Sequence, residues 1–191
     1  DTTVRVPRLP QPGETVLGSD HFSDTGGKGA NQAVAAARLG RRVSMVGMVG
    51  DDDAGRQLIA ALDRDGVDVS NIASSDTGSG MAVITVDEAG ENMIVVDPGA
   101  NGVFTVKALE PMTTAVATAD VVVLQLEIPL PTVAAAVEMA TGVVVLNPAP
   151  AASLDPEVLA SVTVLVPNAT ELALLAGAEV PATPTDAIDL A

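Results

Sequence analysis

The residues whose types and spacing best suit chemistry stand at the head of one predicted helix. Residues 26–40 read GGKGANQAVAAARLG, so paired glycines are followed by Lys28 and Asn31 and then by an alanine-rich run. Glycine lets the backbone approach a ligand without a side chain in the way. The first N–H groups of a helix are unpaired and carry a partial positive charge. Together these features predict a site for an oxygen-rich ligand.

Two well-known phosphate-binding motifs do not fit this segment. A P-loop needs Gly-x4-Gly-Lys followed by Ser or Thr, whereas Gly29 follows Lys28 and no glycine stands at the first position of that pattern. A dinucleotide fingerprint needs G-x-G-x-x-G after a strand, and the chain has no such string. A glycine-rich turn that merely begins a helix remains the alternative.

The elements that must position these residues can be predicted from apolar runs. Runs typical of buried strands occupy 43–50, 121–126, 143–146 and 162–166, and helices are predicted from about 53 to 65, at about 130–140 and at 170–176. Strands that are apolar on both faces and alternate with helices indicate a covered parallel sheet. We therefore expect an α/β fold, a doubly wound, Rossmann-like parallel sheet with helices on both faces.

A second group of segments has strand character without intervening helices. It comprises 2–6, 14–19 and a hairpin made of 80–86 and 91–97. We expect a small β-sheet lid built from residues 1–19 and 80–101, over a core built from residues 20–79 and 102–191. Ordinary edge hairpins are the alternative.

Polar residues directly follow three of the predicted core strands. They are Glu127, Asn147 and Asn168. In open α/β sheets, ligands bind outside the carboxyl ends of the strands. These three positions are therefore expected at the edge of the sheet where a site would form.

Charge and composition argue against several classes of partner. The net charge of −16 argues against nucleic acid and against an anionic membrane surface. The absence of cysteine excludes a disulfide framework and thiol chemistry. No apolar run is long enough to span a membrane and no leader pattern is visible, so we expect a soluble cytoplasmic protein.

Several short strings resemble, in the same order, the ribokinase-like (phosphofructokinase-B type) family of sugar kinases. They are PGETV at 12–16, the segment 26–40, GDD at 50–52, GEN at 90–92, PGAN at 98–101, QLE at 125–127, NPAP at 147–150 and PNATE at 167–171. The resemblance covers nearly the whole chain. It implies transfer of the γ-phosphate of ATP to the 5-hydroxyl of ribose, with Mg²⁺ and a monovalent cation (K⁺) as cofactors. It also implies a homodimer that pairs through the β lid.

The resemblance further assigns roles to individual positions. It implies sugar contacts for Asp1, Gly27, Lys28, Asn31 and Glu127. It implies nucleotide or phosphate contacts for Asn168 and Glu171, with Glu171 also acting indirectly on Mg²⁺. Asp1 is assigned by spacing alone, because the Asn that precedes this acid in the family is not in the chain. Carboxylates and amides suit such sites because they hydrogen-bond neighbouring hydroxyls, often in pairs.

Plainer structural roles exist for the acidic residues. Glu127 could cap a strand end in solvent. Asn168 and Glu171 have the spacing of a helix capping box, and both roles are compatible. Asp51 and Asp52 are expected to be helix caps rather than metal ligands.

One part of the family pattern has no match in this chain. The second signature, Asp-Thr-x-Gly-Ala-Gly-Asp, supplies the anion hole and the general base, and the strings at 24–27 and 76–80 lack its final Gly-Asp. No catalytic residue is therefore assigned. We expect the chain to be the N-terminal, sugar-binding part of a kinase and to be inactive as 191 residues alone. The alternatives are a family member acting on a nucleoside, fructose phosphate or 2-deoxyribose, and a non-catalytic sugar-binding or regulatory protein.

Overall fold

Short apolar runs and amphipathic segments alternate along the chain and give it a mixed α/β architecture. A computed structural model describes residues 1–190; Ala191, the last residue of the predicted core segment, lies outside the described residues. The strands are β1 (Thr2–Arg5), β2 (Asp20–Ser23), β3 (Ser44–Gly50), β4 (Asp68–Ser75), β5 (Met81–Val86), β6 (Asn92–Asp97), β7 (Val121–Leu124), β8 (Val143–Leu146) and β9 (Val164–Leu165). The helices are α1 (Lys28–Arg38), α2 (Asp53–Arg64), α3 (Val106–Leu109), α4 (Thr113–Ala117), α5 (Leu130–Met139), α6 (Pro156–Ala160), α7 (Ala169–Ala176) and α8 (Pro184–Leu190), with 3₁₀ turns at Gly99–Val103 and Glu110–Met112. Across residues 1–190, every helix is too short or too polar to cross a bilayer.

A four-stranded sheet has the strand order β2-β1-β5-β6. β1 runs antiparallel to β2 and parallel to β5, and β5 and β6 form the predicted hairpin, in which Val83 pairs with Val95. Asp87 stabilises the hairpin turn, because its Oδ1 accepts hydrogen bonds from the backbone N–H groups of Ala89 and Glu91. β2 belongs to this sheet although its residues fall in the segment 20–79 that the sequence analysis assigned to the core.

The remaining strands are parallel, as the expected α/β fold requires. β3 pairs with β4 across α2, while β7, β8 and β9 form a second parallel sheet with α5 and α6 as crossovers. Helix α2 begins where predicted, because the Asp52 side chain accepts the Gly55 N–H at 2.7 Å. Asp51 is not a cap, contrary to the prediction: its carboxylate instead accepts from Arg56 at 3.1 Å, since the extended residue that precedes the helix is Asp52.

The core covers both faces of the β3–β4 sheet, with α1 and α2 on one face and the segment 104–116 on the other, and it covers one face of the β7–β8–β9 sheet. Phe104, Leu109 and Val133 are at most 1% exposed. Burial of each such side chain stabilises the fold by roughly 1.5–3 kcal/mol. On the opposite face of the second parallel sheet, Val121 and Val143 are 50% and 40% exposed, so that face is not covered within the described residues.

Two strand expectations differ from the structure. The predicted strand at 14–19 is a loop, and the strand lies at Asp20–Ser23 instead; the nearby prolines at 7, 10 and 12 favour turns over a ladder. β4, which reads DVSNIASS, is a strand that was not predicted from the sequence. Its polar residues give no continuous apolar run, and it forms because β3 offers it a parallel partner.

Candidate functional site

The head of α1 is built to leave its first N–H groups available. Gly27 precedes the helix at φ 94°, in the left-handed region that glycine adopts without strain, and as the N-cap residue it has no side chain of its own to cap this end. The Gly27 carbonyl accepts the first helical hydrogen bond, from Asn31 N–H at 3.0 Å. The first donor of the helix, Lys28 N–H, is therefore free to bind an acceptor from elsewhere in the chain.

Glu127 supplies that acceptor from the segment that follows β7. Its Oε2 accepts the Lys28 N–H at 2.8 Å, and its Oε1 lies 3.0 Å from Lys28 Nζ. The side chains of Lys28 and Glu127 are 41% and 27% exposed, so both charged groups remain open to solvent. A carboxylate acceptor beside an ammonium donor is an arrangement that can bind neighbouring hydroxyls.

Asp1 lies against Gly26, in the turn that precedes α1. A Cβ on Gly26 would overlap the Asp1 carboxylate, so the two residues are in direct contact. The Asp24 N–H donates to the Asp1 carbonyl at 3.0 Å, which joins the start of β1 to the end of β2. Three charged groups of the predicted sugar contacts, on Asp1, Lys28 and Glu127, thus lie around residues 26–28.

Asn31 lies one turn further along α1. It is exposed and contributes to a cavity of about 340 Å³ between α1 and α2, which Arg38 and Asp65 also line. Arg38 and Asp65 form an ion pair at 2.8 Å. Glu127 is not among the residues that line this cavity.

Sequence reasoning missed a second contact between α1 and the end of β7. Gln125 Nε2 donates to Gln32 Oε1. Gln32 stands four residues after Lys28, on the same helix face, and Gln125 stands two residues before Glu127. The four-residue spacing of Lys28 and Gln32 was the sequence signal that both side chains face the same neighbouring segment. A Cβ on Gly29 would lie 3.1 Å from Gln125 Oε1, so this glycine allows the close approach.

The polar residues after the parallel strands lie at one edge of their sheet, as expected from the topology. Asn147 Nδ2 donates to the Val166 carbonyl at 2.9 Å and ties the ends of β8 and β9 together. Asn168 and Glu171 form a complete capping box at the start of α7: the Glu171 N–H donates to Asn168 Oδ1 at 2.9 Å, and Asn168 N–H donates to Glu171 Oε2 at 2.8 Å. These bonds join Asn168 and Glu171 to each other rather than to Glu127.

The described residues do not present a ready-made metal centre. Among residues 1–190, no cluster of three or more His, Cys, Asp or Glu side chains has the arrangement to hold an ion. Glu171 is only 6% exposed, and both of its oxygens accept hydrogen bonds from Asn168. Glu171 as arranged therefore does not fit a direct Mg²⁺ ligand.

Comparison with known proteins places these features in a family. The profile described as pfkB family carbohydrate kinase matches residues 1–191. The chain is 41% identical over 184 residues to the ribokinase of Haemophilus influenzae, covering 94% of this chain and 60% of that protein. It is 43% identical over 194 residues to the ribokinase of Schizosaccharomyces pombe, covering 96% and 61%. The chain thus spans about 60% of the length of these curated relatives.

A solved structure gives the same likeness in three dimensions. The structure of Arabidopsis thaliana ribokinase complexed with ribose and ATP superimposes with a TM-score of 0.82 at 31% sequence identity. The match covers 99% of this chain and 63% of that one. The doubly wound α/β architecture expected from the sequence is confirmed by this similarity and by the parallel strands described above.

Proposed function

The chain belongs to the pfkB family of carbohydrate kinases, and we propose that the protein is a ribokinase, which transfers the γ-phosphate of ATP to the 5-hydroxyl of ribose. This chain supplies the sugar-binding residues. The observation that carries the proposal is the Lys28–Glu127 pair at the start of α1, where the N-cap residue is a glycine. The matches to ribokinases at about 40% identity support ribose as the acceptor.

The chemistry of the proposed sugar contacts suits a polyol. The Asp1 and Glu127 carboxylates accept hydrogen bonds from hydroxyls, and the Lys28 ammonium and Asn31 amide donate them. Gly27 leaves its backbone accessible because it has no side chain. Charged acceptors and donors make hydrogen bonds roughly twice as strong as neutral ones. A sugar with several neighbouring hydroxyls therefore gains more from this set of groups than an apolar ligand does.

We infer that the four-stranded sheet acts as a lid and as a dimer surface. The lid takes in Asp20–Ser23 in addition to the expected segments 1–19 and 80–101, over a core made of the remaining residues. Ile94, Val95 and Val96 on β6 are 53–65% exposed. Because successive residues of a strand face opposite sides of the sheet, apolar side chains are exposed on both faces of β6. A sheet that is apolar on both faces suits a sugar site on one side and a second copy on the other. Sedimentation of the full-length protein tests this: a monomer at all concentrations would contradict the homodimer.

We also infer how the co-substrates bind. ATP would bind near the end of β9, where Asn168 and Glu171 are proposed to position phosphate. Bound Mg²⁺ would offset phosphate charge, and Glu171 would influence it only through Asn168, because both Glu171 oxygens accept from that residue. K⁺ is proposed as a monovalent activator. Because ATP is the co-substrate, we place the enzyme in the cytoplasm.

A substrate scan tests the proposed function. ADP release from ATP is measured with the full-length protein and ribose, 2-deoxyribose, fructose 6-phosphate or adenosine in separate reactions. We expect ribose to give the highest kcat/KM, and we expect the 191-residue chain alone to release no ADP. A higher kcat/KM with another acceptor would make that compound, rather than ribose, the substrate of a kinase of the same family. No ADP release with any acceptor would contradict the proposed kinase activity.

A paired variant test connects the activity to the site. Lys28→Gln removes the ammonium beside Glu127 and is expected to raise the KM for ribose. Lys107→Gln, at an exposed position on α3, is the matched control because it removes the only other lysine of the chain. Equal kinetic constants for the two variants would show that Lys28 does not contribute to sugar binding.

A further inference from the structure

Within the described residues, three segments connect the four-stranded sheet to the rest of the protein. One is residues 24–27, which lead from β2 into α1, and the other two lie against each other. The chain enters the β5–β6 hairpin through residues 76–80 and leaves it through Pro98 and Gly99. Ala100 N–H donates to the Gly78 carbonyl at 2.8 Å. A Cβ on Gly80 would lie only 2.8 Å from the Pro98 carbonyl oxygen. These two segments therefore pack backbone against backbone and act as one joint.

Asp52 fastens this joint to the head of α2. Its Oδ2 accepts the Ser79 N–H at 2.7 Å, and its Oδ1 accepts the Ser79 hydroxyl at 2.7 Å. The Gly50 N–H donates to Ser79 Oγ at 3.0 Å. A Cβ on Gly50 would overlap the Ser79 backbone nitrogen. Ser79 is thus held by the turn between β3 and α2 through both its backbone and its side chain.

The contact is more than helix capping requires. A capping aspartate needs only the bond to the helix, which Asp52 makes with Gly55 N–H at 2.7 Å. Its two bonds to Ser79 connect residues 27 positions apart in the chain. Donated hydrogen bonds, led by the Ser79 backbone N–H, hold the pKa of Asp52 below its ordinary value, so the acceptor stays ionised at neutral pH.

The other end of the same sheet reaches the candidate sugar site. β1 follows directly after Asp1, and β2 ends one residue before Asp24. Asp1 in turn contacts Gly26, beside the Lys28–Glu127 pair. Because β1 pairs with both β2 and β5, hydrogen-bonded strands connect the segment after Ser79 to the segment after Asp1.

We propose that Asp52 and Ser79 are positioning residues that set the angle of the four-stranded sheet and thereby place Asp1 against the sugar site. The inference rests on the proposed function, in which this sheet is the lid over the sugar. It gives a role to residues 76–80, whose Asp-Thr-Gly-Ser-Gly string only partly matches the family's second signature. The effect is on sugar affinity, since the ATP contacts proposed at Asn168 belong to another part of the chain.

The test uses the full-length protein and four variants. Asp52→Asn keeps a good helix cap, because Asn and Asp are about equally favoured there. It replaces one carboxylate oxygen with an NH₂ group, which cannot accept the hydrogen bond that Ser79 donates through its backbone N–H or its hydroxyl. Ser79→Ala removes the hydroxyl, and Ser79→Thr retains it. Asp53→Asn is the matched control, because Asp53 is 91% exposed and pairs only with Arg56.

We expect Asp52→Asn and Ser79→Ala to raise the KM for ribose by about three- to tenfold, the effect of one or two lost hydrogen bonds, with the KM for ATP unchanged. Ser79→Thr and Asp53→Asn should stay within about twofold of the wild type. A fall in thermal midpoint without a change in the ribose KM would show a purely structural contact and overturn the proposal.

A second measurement separates this inference from the proposed function. If the wild type phosphorylates no sugar, the proposed function fails, and hydrogen exchange then decides the role of Asp52. Asp52→Asn is expected to speed amide exchange at 76–80 and 98–101 and in β1, while β3 and β4 keep their protection. If amide exchange in those segments is the same in Asp52→Asn as in the wild type, Asp52 does not position the sheet, whether or not the enzyme is active.

Discussion

Glu127 shows how a single carboxylate can both hold a helix and remain available to a ligand. It binds the backbone and the side chain of Lys28 through different oxygens, and each oxygen has a further lone pair to offer. Its side chain is about a quarter exposed, at 27%. Because Glu127 is proposed to bind the sugar as well as the start of the helix, a change at Glu127 should affect sugar binding more than it affects ATP binding.

The first residue-scale prediction concerns the charge on Glu127. Glu127→Gln keeps one oxygen as an acceptor but removes the charge that pairs with Lys28, and hydrogen bonds to charged groups contribute about 1.5–3 kcal/mol. We expect the KM for ribose to rise about tenfold or more while the KM for ATP changes little. Steady-state kinetics of the full-length protein measure both constants. Glu138→Gln, on the exposed face of α5, is the control, and a similar loss in both variants would argue against a sugar contact.

A second prediction concerns the space beside Asp1. Gly26→Ala places a methyl group where the Asp1 carboxylate lies. Because Asp1 is exposed, its side chain can rotate away, so we expect sugar affinity to fall several-fold with little loss of thermal stability. Titration calorimetry with ribose and a thermal melt measure the two effects. Gly47→Ala is the control, since its Cβ would meet only Met45 at 3.7 Å; unaltered ribose affinity in Gly26→Ala would remove Asp1 from the site.

Among the elements, α7 has the most complete cap. Asn168 and Glu171 satisfy each other's backbone N–H groups, and Gly177 ends the helix at φ 63°. We expect Asn168→Ala to lower the free energy of unfolding by about 1 kcal/mol, whereas Asn168→Ser, which keeps a capping oxygen, should lower it much less. Urea unfolding checks both values.

The same pair of variants tests the proposed phosphate role of Asn168. If Asn168 also positions phosphate, both variants should raise the KM for ATP, because Ser restores the cap but not the amide. If the KM for ATP is normal in Asn168→Ser and altered only in the less stable Asn168→Ala, the effect comes from the lost helix cap. Asn168 would then have only its capping role.

Elements with a strong local pattern were predictable from the sequence, and those that depend on a distant partner were not. The run Val143–Leu146 is a strand as predicted, because its residues are apolar throughout. β4 was missed because its polar composition becomes a strand only beside β3. The prolines and glycines before β2 made the position of that edge strand hard to locate.

The candidate site divides in the same way. The capping box of Asn168 and Glu171 was visible in the sequence because its contacts span three residues. The contact of Lys28 with Glu127 joins residues 99 positions apart; topology indicated only that Glu127 would lie at the sheet edge. The bonds from Ser79 to Asp52 had no signal in the sequence, since nothing local distinguishes Ser79 from other turn serines.

At the scale of the whole molecule, the chain is acidic and its stability should depend on the ionisation of bonded carboxylates. Arg8 and Glu14 form an ion pair across the loop between β1 and β2, and Gln11 N–H donates to Glu14 at 3.0 Å. Chiefly the hydrogen bonds from Arg8 lower the pKa of Glu14 from 4.5 to about 2. A depressed pKa means that the ionised group stabilises the fold above about pH 4.5 and loses this effect as the pH falls toward 2.

This sign gives a prediction for Glu14→Gln. The difference in free energy of unfolding between the wild type and this variant should be largest above pH 4.5 and should shrink as the pH falls toward 2. Urea unfolding at neutral pH and at steps below pH 4.5 measures it. Glu88→Gln, exposed in the β5–β6 turn, is the control. A difference that stays constant across that range would show that the ion pair does not stabilise the fold.

We propose that the groups around the head of α1 bind ribose for phosphorylation at its 5-hydroxyl. The most direct measurement is the position of the new phosphate on the sugar, determined by phosphorus–proton NMR of the product that the full-length protein forms from ribose and ATP. We expect the product to be ribose 5-phosphate. A phosphate on another hydroxyl, or ribose left unmodified, would contradict it.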